Sequence, residues 1–121
     1  KDINPVLDYY SPILIANNAY LENNKEEAKA FLKAVAKGYE YAIDNPEEAA
    51  NILIEANPEL DEDLVQESQN WISGQYKAEV NKWGYIDQGR WDAFYAWLFE
   101  EGLIEQEIPK GFGFTNDYLP E

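Results

Sequence analysis

The 121-residue sequence has no cysteine, no histidine and no methionine. Without Cys and His there are no disulfides, no thiol nucleophile, no Ser-His-Asp or Cys-His device, and essentially no zinc or copper site. Met is missing even at position 1. A reading frame starts with Met, and a large second residue such as Lys normally prevents its removal. Lys1 is therefore expected to lie downstream of the genetic start, with any signal peptide upstream of it. Basic residues are scarce as well, 9 against 24 acidic, for a net charge of −15. Such a surface repels phosphate backbones and anionic lipid, which argues against nucleic acid as a partner. No apolar run approaches the ~20 residues of a membrane span.

What remains is rich in rings: 4 Trp, 9 Tyr and 5 Phe within 45% hydrophobic content. The length suits one compact domain. The aromatic load suits either a thick helical core or a surface that stacks on flat ligands.

Residues 13–16 (Ile13, Leu14, Ile15, Ala16) form a continuous apolar run, the pattern of a strand buried on both faces. Pro5 and Pro12 bracket it, and Asn17 and Asn18 stop it and cap a short helical turn. Four longer helices follow. In "NKEEAKAFLKAVAKGYEYAID", Asn24 is the expected N-cap and Glu27 its capping-box partner. Ala28, Phe31, Leu32, Val35, Tyr39, Ala42 and Ile43 recur on one face, while Lys29, Lys33 and Lys37 step by four along another. Asn45 caps the next helix, Pro46 takes its first position, and Ala49, Ile52, Leu53 and Ala56 form its inner face. Asp61 caps a third, "EDLVQESQNWISGQY". Asp87 caps a fourth, whose Trp91, Phe94, Tyr95, Leu98 and Phe99 share a broad face before Gly102 ends it. "KAEVNKWGY" reads as irregular chain with a turn at Gly84. The tail, "IPKGFGFTNDYLPE", is turn-rich, with Phe112, Phe114 and Tyr118 as anchors. A lone strand needs partners. The simplest expectation is one part of a larger α/β protein, whose other strands lie before Lys1 or come from another copy.

"PVLDYYSPILIANNAYLENN", then "AKAFLKAVAKGYEYAIDNPEEAANILIEANPELDEDLV", then "FTNDYLP" resemble the C-terminal third of solute-binding proteins of ABC importers. The group most alike is the thiamine-pyrimidine-precursor type, related to the nitrate, sulfonate and taurine binders. The resemblance implies a mainly α chain of about four helices plus one or two strands, the C-terminal fragment of a two-lobed α/β periplasmic-binding-protein fold. It makes 1–121 a single incomplete unit: residues 1–16 the hinge, or crossover, and return strand, and residues 17–121 the helical part of the first lobe with its tail.

Asp8, Tyr9 and Tyr10 sit where the resemblance places the hinge and cleft wall, and are the candidate ligand-binding residues. A Tyr ring stacks on a pyrimidine, and Asp8 accepts from an exocyclic amine. The competing reading is packing for both rings and a turn acceptor for Asp8. Strand alternation would send the two rings to opposite faces. Trp71, Trp83, Trp91 and Trp97 read as core rather than a stacking platform, except Trp83 in irregular chain beside Gly84. The acidic pairs Glu47-Glu48, Glu100-Glu101 and the run Asp61-Glu62-Asp63 lie at helix ends or on polar faces, with no apolar pocket to raise a pKa, so no catalytic residue is expected. They do not fit a calcium loop, no metal site is expected, and "KGFGF" is a turn rather than a phosphate loop. The lysine stripe reads as a solvated face paired with glutamates.

The resulting expectation is a non-enzymatic, cofactor-free, extracytoplasmic component of an ABC importer, periplasmic or a cell-surface lipoprotein. It would hold a small heteroaromatic nutrient between two lobes and meet ABC permease subunits, and the isolated chain would dimerise through residues 13–16. The alternative is a helical protein–protein interaction module, since the hairpin at residues 24–57 is similar to a tetratricopeptide unit, although no repeat of fixed period is present.

Overall fold

Short polar side chains decide where each helix starts and stops. The computed structural model describes residues 4–121, so the first three residues of the expected crossover lie outside it. A 3₁₀ turn at Pro5–Leu7 is followed by helices α1 (Asn18–Asn23), α2 (Lys25–Asp44), α3 (Pro46–Ala56), α4 (Glu62–Ser73) and α5 (Gln88–Glu100). Asn17 opens α1 by accepting from the backbone N–H of Ala19 at 2.9 Å. Asp61 opens α4 through Leu64 at 2.9 Å, and Asp87 opens α5 through Arg90 at 2.8 Å.

Asparagines close the preceding helices. The side-chain amides of Asn23, Asn24, Asn45 and Asn57 donate to the carbonyls of Ala19, Tyr20, Tyr41 and Leu53, each four residues back. For Tyr20, Tyr41 and Leu53 this is a second bond, since the same carbonyl also accepts the backbone N–H of that asparagine. Asn24 and Asn45 were expected to cap the helices that follow. Asn24 instead ends α1, and Asn45 makes no side-chain cap bond to α3. Gly102, at φ +68, closes α5 as a Schellman turn: Leu103 N–H reaches the Leu98 carbonyl at 2.8 Å, and Gly102 N–H reaches Phe99 at 3.0 Å.

The expected α/β fold is overturned. Among the described residues there is no strand, no sheet and no two-lobed α/β, periplasmic-binding-protein architecture. Residues 13–16 are irregular and exposed, Ile15 by 88%. The cause is pairing: no neighbouring strand among the described residues offers a ladder, so the apolar pattern alone cannot make one.

The chain forms two compact units. One comprises the residues up to Asn24 with Tyr85–Tyr118, and is organised on α5. Trp91 is its buried centre, 8% exposed, with Tyr95 and Phe114 against its ring. The indole N–H donates to the Phe112 carbonyl at 2.9 Å, and Gly111 N–H donates to Asp92 at 2.8 Å, pinning the tail to the helix. Phe114 and Tyr118 are half-buried, while the Phe112 ring is exposed and only its carbonyl is used. Asn116 works as a two-way clamp. Its amide donates to the Ile86 carbonyl at 2.9 Å, and its side-chain oxygen accepts from Ile86 N–H at 3.0 Å.

The other unit, Lys25–Gly84 with Leu119–Glu121, packs α3 against both α2 and α4. Its buried apolar residues are Ala28, Ala36 and Ala50. Small side chains let the helices approach closely but bury little area. Polar bonds supplement them: Gln69 donates to the Ala42 carbonyl at 3.3 Å, and Gln66 donates to Asn51 at 2.6 Å. Lys77 pairs with Glu40 at 3.0 Å. Gly84 turns at φ +80, and a Cβ there would stand 3.1 Å from Leu119. No described helix is long and apolar enough to cross a membrane.

Candidate functional site

Two surfaces carry chemistry, one in each unit. In the first, the stretch around residues 8–10 lies along one face of α5. Asp87, Arg90 and Phe94 are spaced at i, i+3 and i+7 and therefore share that face. Tyr9 stacks on Phe94, ring centroids 4.4 Å apart and 15° from parallel. The Tyr10 hydroxyl accepts from Asp87 N–H at 2.8 Å, and the Arg90 guanidinium lies 5.3 Å from the Tyr10 ring centroid. Asp8 pairs with Arg90 at 3.5 Å. The three candidate residues are thus brought together on α5 rather than split between faces, because the segment is irregular and strand alternation does not govern it. Sequence reasoning missed Arg90 and Phe94; the signal was their spacing from the Asp87 cap.

The second surface is the outside of the helical unit. Phe31 and Tyr41 are 58% and 44% exposed, and Ala34 and Gly38 between them are exposed too. The spacing 31, 34, 38, 41 aligns them along α2, opposite the half-buried Leu32, Val35, Tyr39 and Ile43. Phe31, expected inside, is outside. Gly38 has nothing within 4 Å of where a Cβ would stand, so the stripe is open at its middle. The Tyr41 hydroxyl hydrogen-bonds Glu48 on α3, which raises the phenol pKa above 10.0, with slight desolvation and the carboxylate's charge adding to the effect. Ile52, one turn beyond Glu48, is 57% exposed and extends the stripe. It was expected inside α3 together with Leu53 and Ala56. Instead Ala50 is the buried residue, and all three of those are exposed. On α4, Leu64 and Trp71, seven residues apart, are 65% and 69% exposed, so Trp71 is not core. The lysine stripe is not paired as expected, because Glu40 turns to Lys77.

Comparison with known proteins gives partial homology. Residues 1–49 match the family model "NMT1/THI5 like". The chain is 34% identical over 107 residues to the formylaminopyrimidine-binding protein of Halalkalibacterium halodurans, covering 85% of this chain and 32% of that one. It is 25% identical over 118 residues to riboflavin-binding protein RibY of Chloroflexus aurantiacus, covering 88% and 32%. It is also 25% identical over 111 residues to 4-amino-5-hydroxymethyl-2-methylpyrimidine phosphate synthase THI5 of Saccharomyces cerevisiae, covering 88% and 30%. The chain spans about a third of the length of these relatives. The likeness is partial and holds at the level of the family alone. Two expectations fall. The ABC-importer receptor closing two α/β lobes on its ligand has no counterpart among the described residues, whose regular elements are all helical. The non-enzymatic expectation conflicts with the synthases THI5, THI11, THI12 and THI13 among the relatives.

Proposed function

We propose that this chain is a helical interaction module, whose α2–α3 face docks a partner protein through an amphipathic helix. The observation that carries this reading is the set of large apolar side chains that the helical unit leaves exposed. Alanines occupy its buried positions while Phe31, Tyr41, Ile52 and Leu53 face solvent. A contiguous apolar stripe on a helix pair is what an amphipathic segment needs, read as anchors one turn apart. The open backbone at Gly38 lets that segment approach closely.

The likeness to two binding proteins supports a permease subunit as the partner, met outside the cytoplasm at a cell surface or in a periplasm. The exposed run at residues 13–16 is a second contact in this proposal, one through which two copies pair. Asp8, Tyr9 and Tyr10 are proposed to contact a small heteroaromatic ring, and a pyrimidine of the thiamine-precursor type is the leading example. Support comes from the half-exposed Tyr9 ring and the adjacent Asp8–Arg90 pair, and from the ligands named in two relatives. The region matched would then be one part of a longer protein.

Photo-crosslinking tests the docking reading. A photoreactive residue at position 31 or 41 should give adducts with a co-expressed permease subunit, and I52D should abolish them. Adducts no stronger than those from exposed Glu59, or adducts indifferent to I52D, would overturn it.

A further inference from the structure

The four-residue lysine step on α2 and the one tryptophan outside a helix meet in space. An open cleft of about 380 Å³ in the helical unit is lined by Lys33, Ala36, Lys37 and Glu40 of α2, by Asn81, Lys82 and Trp83, and by Pro120 and Glu121. Its volume lies within the range of small-molecule sites. In a chain of net charge −15 with 9 basic residues, three of the lysines converge here. None of the three makes an ion pair or hydrogen bond among the described residues. Of the two glutamate side chains at the cleft, Glu40 is already held by Lys77 at 3.0 Å, which leaves that of Glu121 against three ammonium groups.

Trp83 supplies the other half of a binding site. One face of its indole stacks on Tyr39, centroids 4.6 Å apart and 21° from parallel, and Tyr76 meets Tyr39 edge-on at 4.8 Å. The ring is thereby fixed by its neighbours, half-buried, beside the lysines. A fixed indole next to unpaired ammonium groups has one complementary ligand chemistry: a flat ring to stack and an anionic group to neutralise the lysines. A hollow at the α2–α3 joint, lined by Asp44, Glu47 and Glu48, has the opposite sign and offers such a ligand nothing.

We infer that this cleft binds a small planar aromatic monophosphate, its ring against Trp83 and its phosphate between Lys33, Lys37 and Lys82. The inference stands apart from the docking face, which lies on another side of α2 and uses none of these side chains.

Adenosine 5′-monophosphate is the probe, with adenosine and inorganic phosphate as controls, titrated by calorimetry into the full chain. The nucleotide should bind at least tenfold more tightly than either control and quench tryptophan fluorescence. W83F should remove the quenching. K33Q/K37Q, two exposed helix positions that tolerate Gln, should weaken the nucleotide about tenfold and leave adenosine unchanged, and added salt should act in the same direction. Equal binding of nucleotide and adenosine, no binding at millimolar nucleotide, or indifference to K33Q/K37Q would each overturn the inference. Loss of permease adducts with nucleotide binding intact would remove the docking reading alone.

Discussion

Asn116 lies in "FTNDYLP", and its value to the fold can be worked out from two bonds. It occupies both backbone groups of Ile86, donating at 2.9 Å and accepting at 3.0 Å, and both residues are half-buried. N116A leaves an amide and a carbonyl without partners. A neutral hydrogen bond is worth about 1 kcal/mol net, and half-burial lets water reach the freed groups, so the loss should be about 2 kcal/mol. N116D keeps the acceptor but turns its second oxygen toward the Ile86 carbonyl, and at pH 7 it should cost at least as much as N116A. Protonation converts that oxygen into a donor. The native state then favours the protonated acid, so its native pKa lies above the unfolded value near 3.9. The stabilisation is present below the unfolded pKa and lost as pH rises through the native one. Lowering the pH from 7 to 5, still above the isoelectric point of about 4.1, should therefore narrow or reverse the deficit of N116D relative to N116A. Urea unfolding followed by tryptophan fluorescence measures all three proteins at both pH values. A loss below 0.5 kcal/mol for N116A, or a deficit that stays the same at both pH values, would refute the clamp.

W91F should cost about 2 kcal/mol, one part from the lost bond to the Phe112 carbonyl and one from reduced ring area. It should also speed tryptic cleavage after Lys110, and cleavage at the wild-type rate would count against the tail being pinned there. The Tyr41 phenol should ionise above the ordinary tyrosine value because Glu48 holds its proton. That contribution persists below the ordinary tyrosine range and is lost as pH rises through the raised value. An ultraviolet difference titration of wild type against Y41F should place the Tyr41 step above the ordinary value, and E48Q should lower it.

The sequence made helix starts at Asp61 and Asp87 legible, because a carboxylate before an apolar period has one local use. Asn24 and Asn45 were ambiguous by chemistry, since an asparagine amide can donate back as readily as its oxygen accepts forward. The apolar run at residues 13–16 misled because a strand is a property of a pair of segments, and periodicity reports only one. The inner face of α2 was legible at Ala28, Leu32, Val35, Tyr39, Ala42 and Ile43, whereas Phe31 on α2 and Ile52, Leu53 and Ala56 on α3 were misjudged for a related reason. Phe31 and Ile52 carry an apolar signal whichever way they point, whereas the most buried positions fall to Ala28, Ala36 and Ala50, which weigh little in any pattern. At the candidate site, Asp8, Tyr9 and Tyr10 were visible as residue types. Their partners on α5 were not, because 77 residues separate Tyr10 from Asp87. Trp83 stood out by lying in irregular chain, and the lysine step by its spacing, but nothing in the sequence joined them.

The chain passes between its two units three times, after Asn24, Gly84 and Tyr118. Residues 25–84 of the helical unit are therefore inserted in the sequence of the other one, and this topology orders assembly. The hairpin joins neighbouring segments and can condense at once. Tyr9 can reach Phe94 only when the whole intervening stretch is looped, an entropic penalty of roughly 4 kcal/mol if that stretch is slack. A prefolded insert holds its own ends in defined positions and lowers that penalty. Damage to α2–α4 should thus slow the closure of a unit to which those helices contribute no residue, and the unit built on α5 should be the last to form.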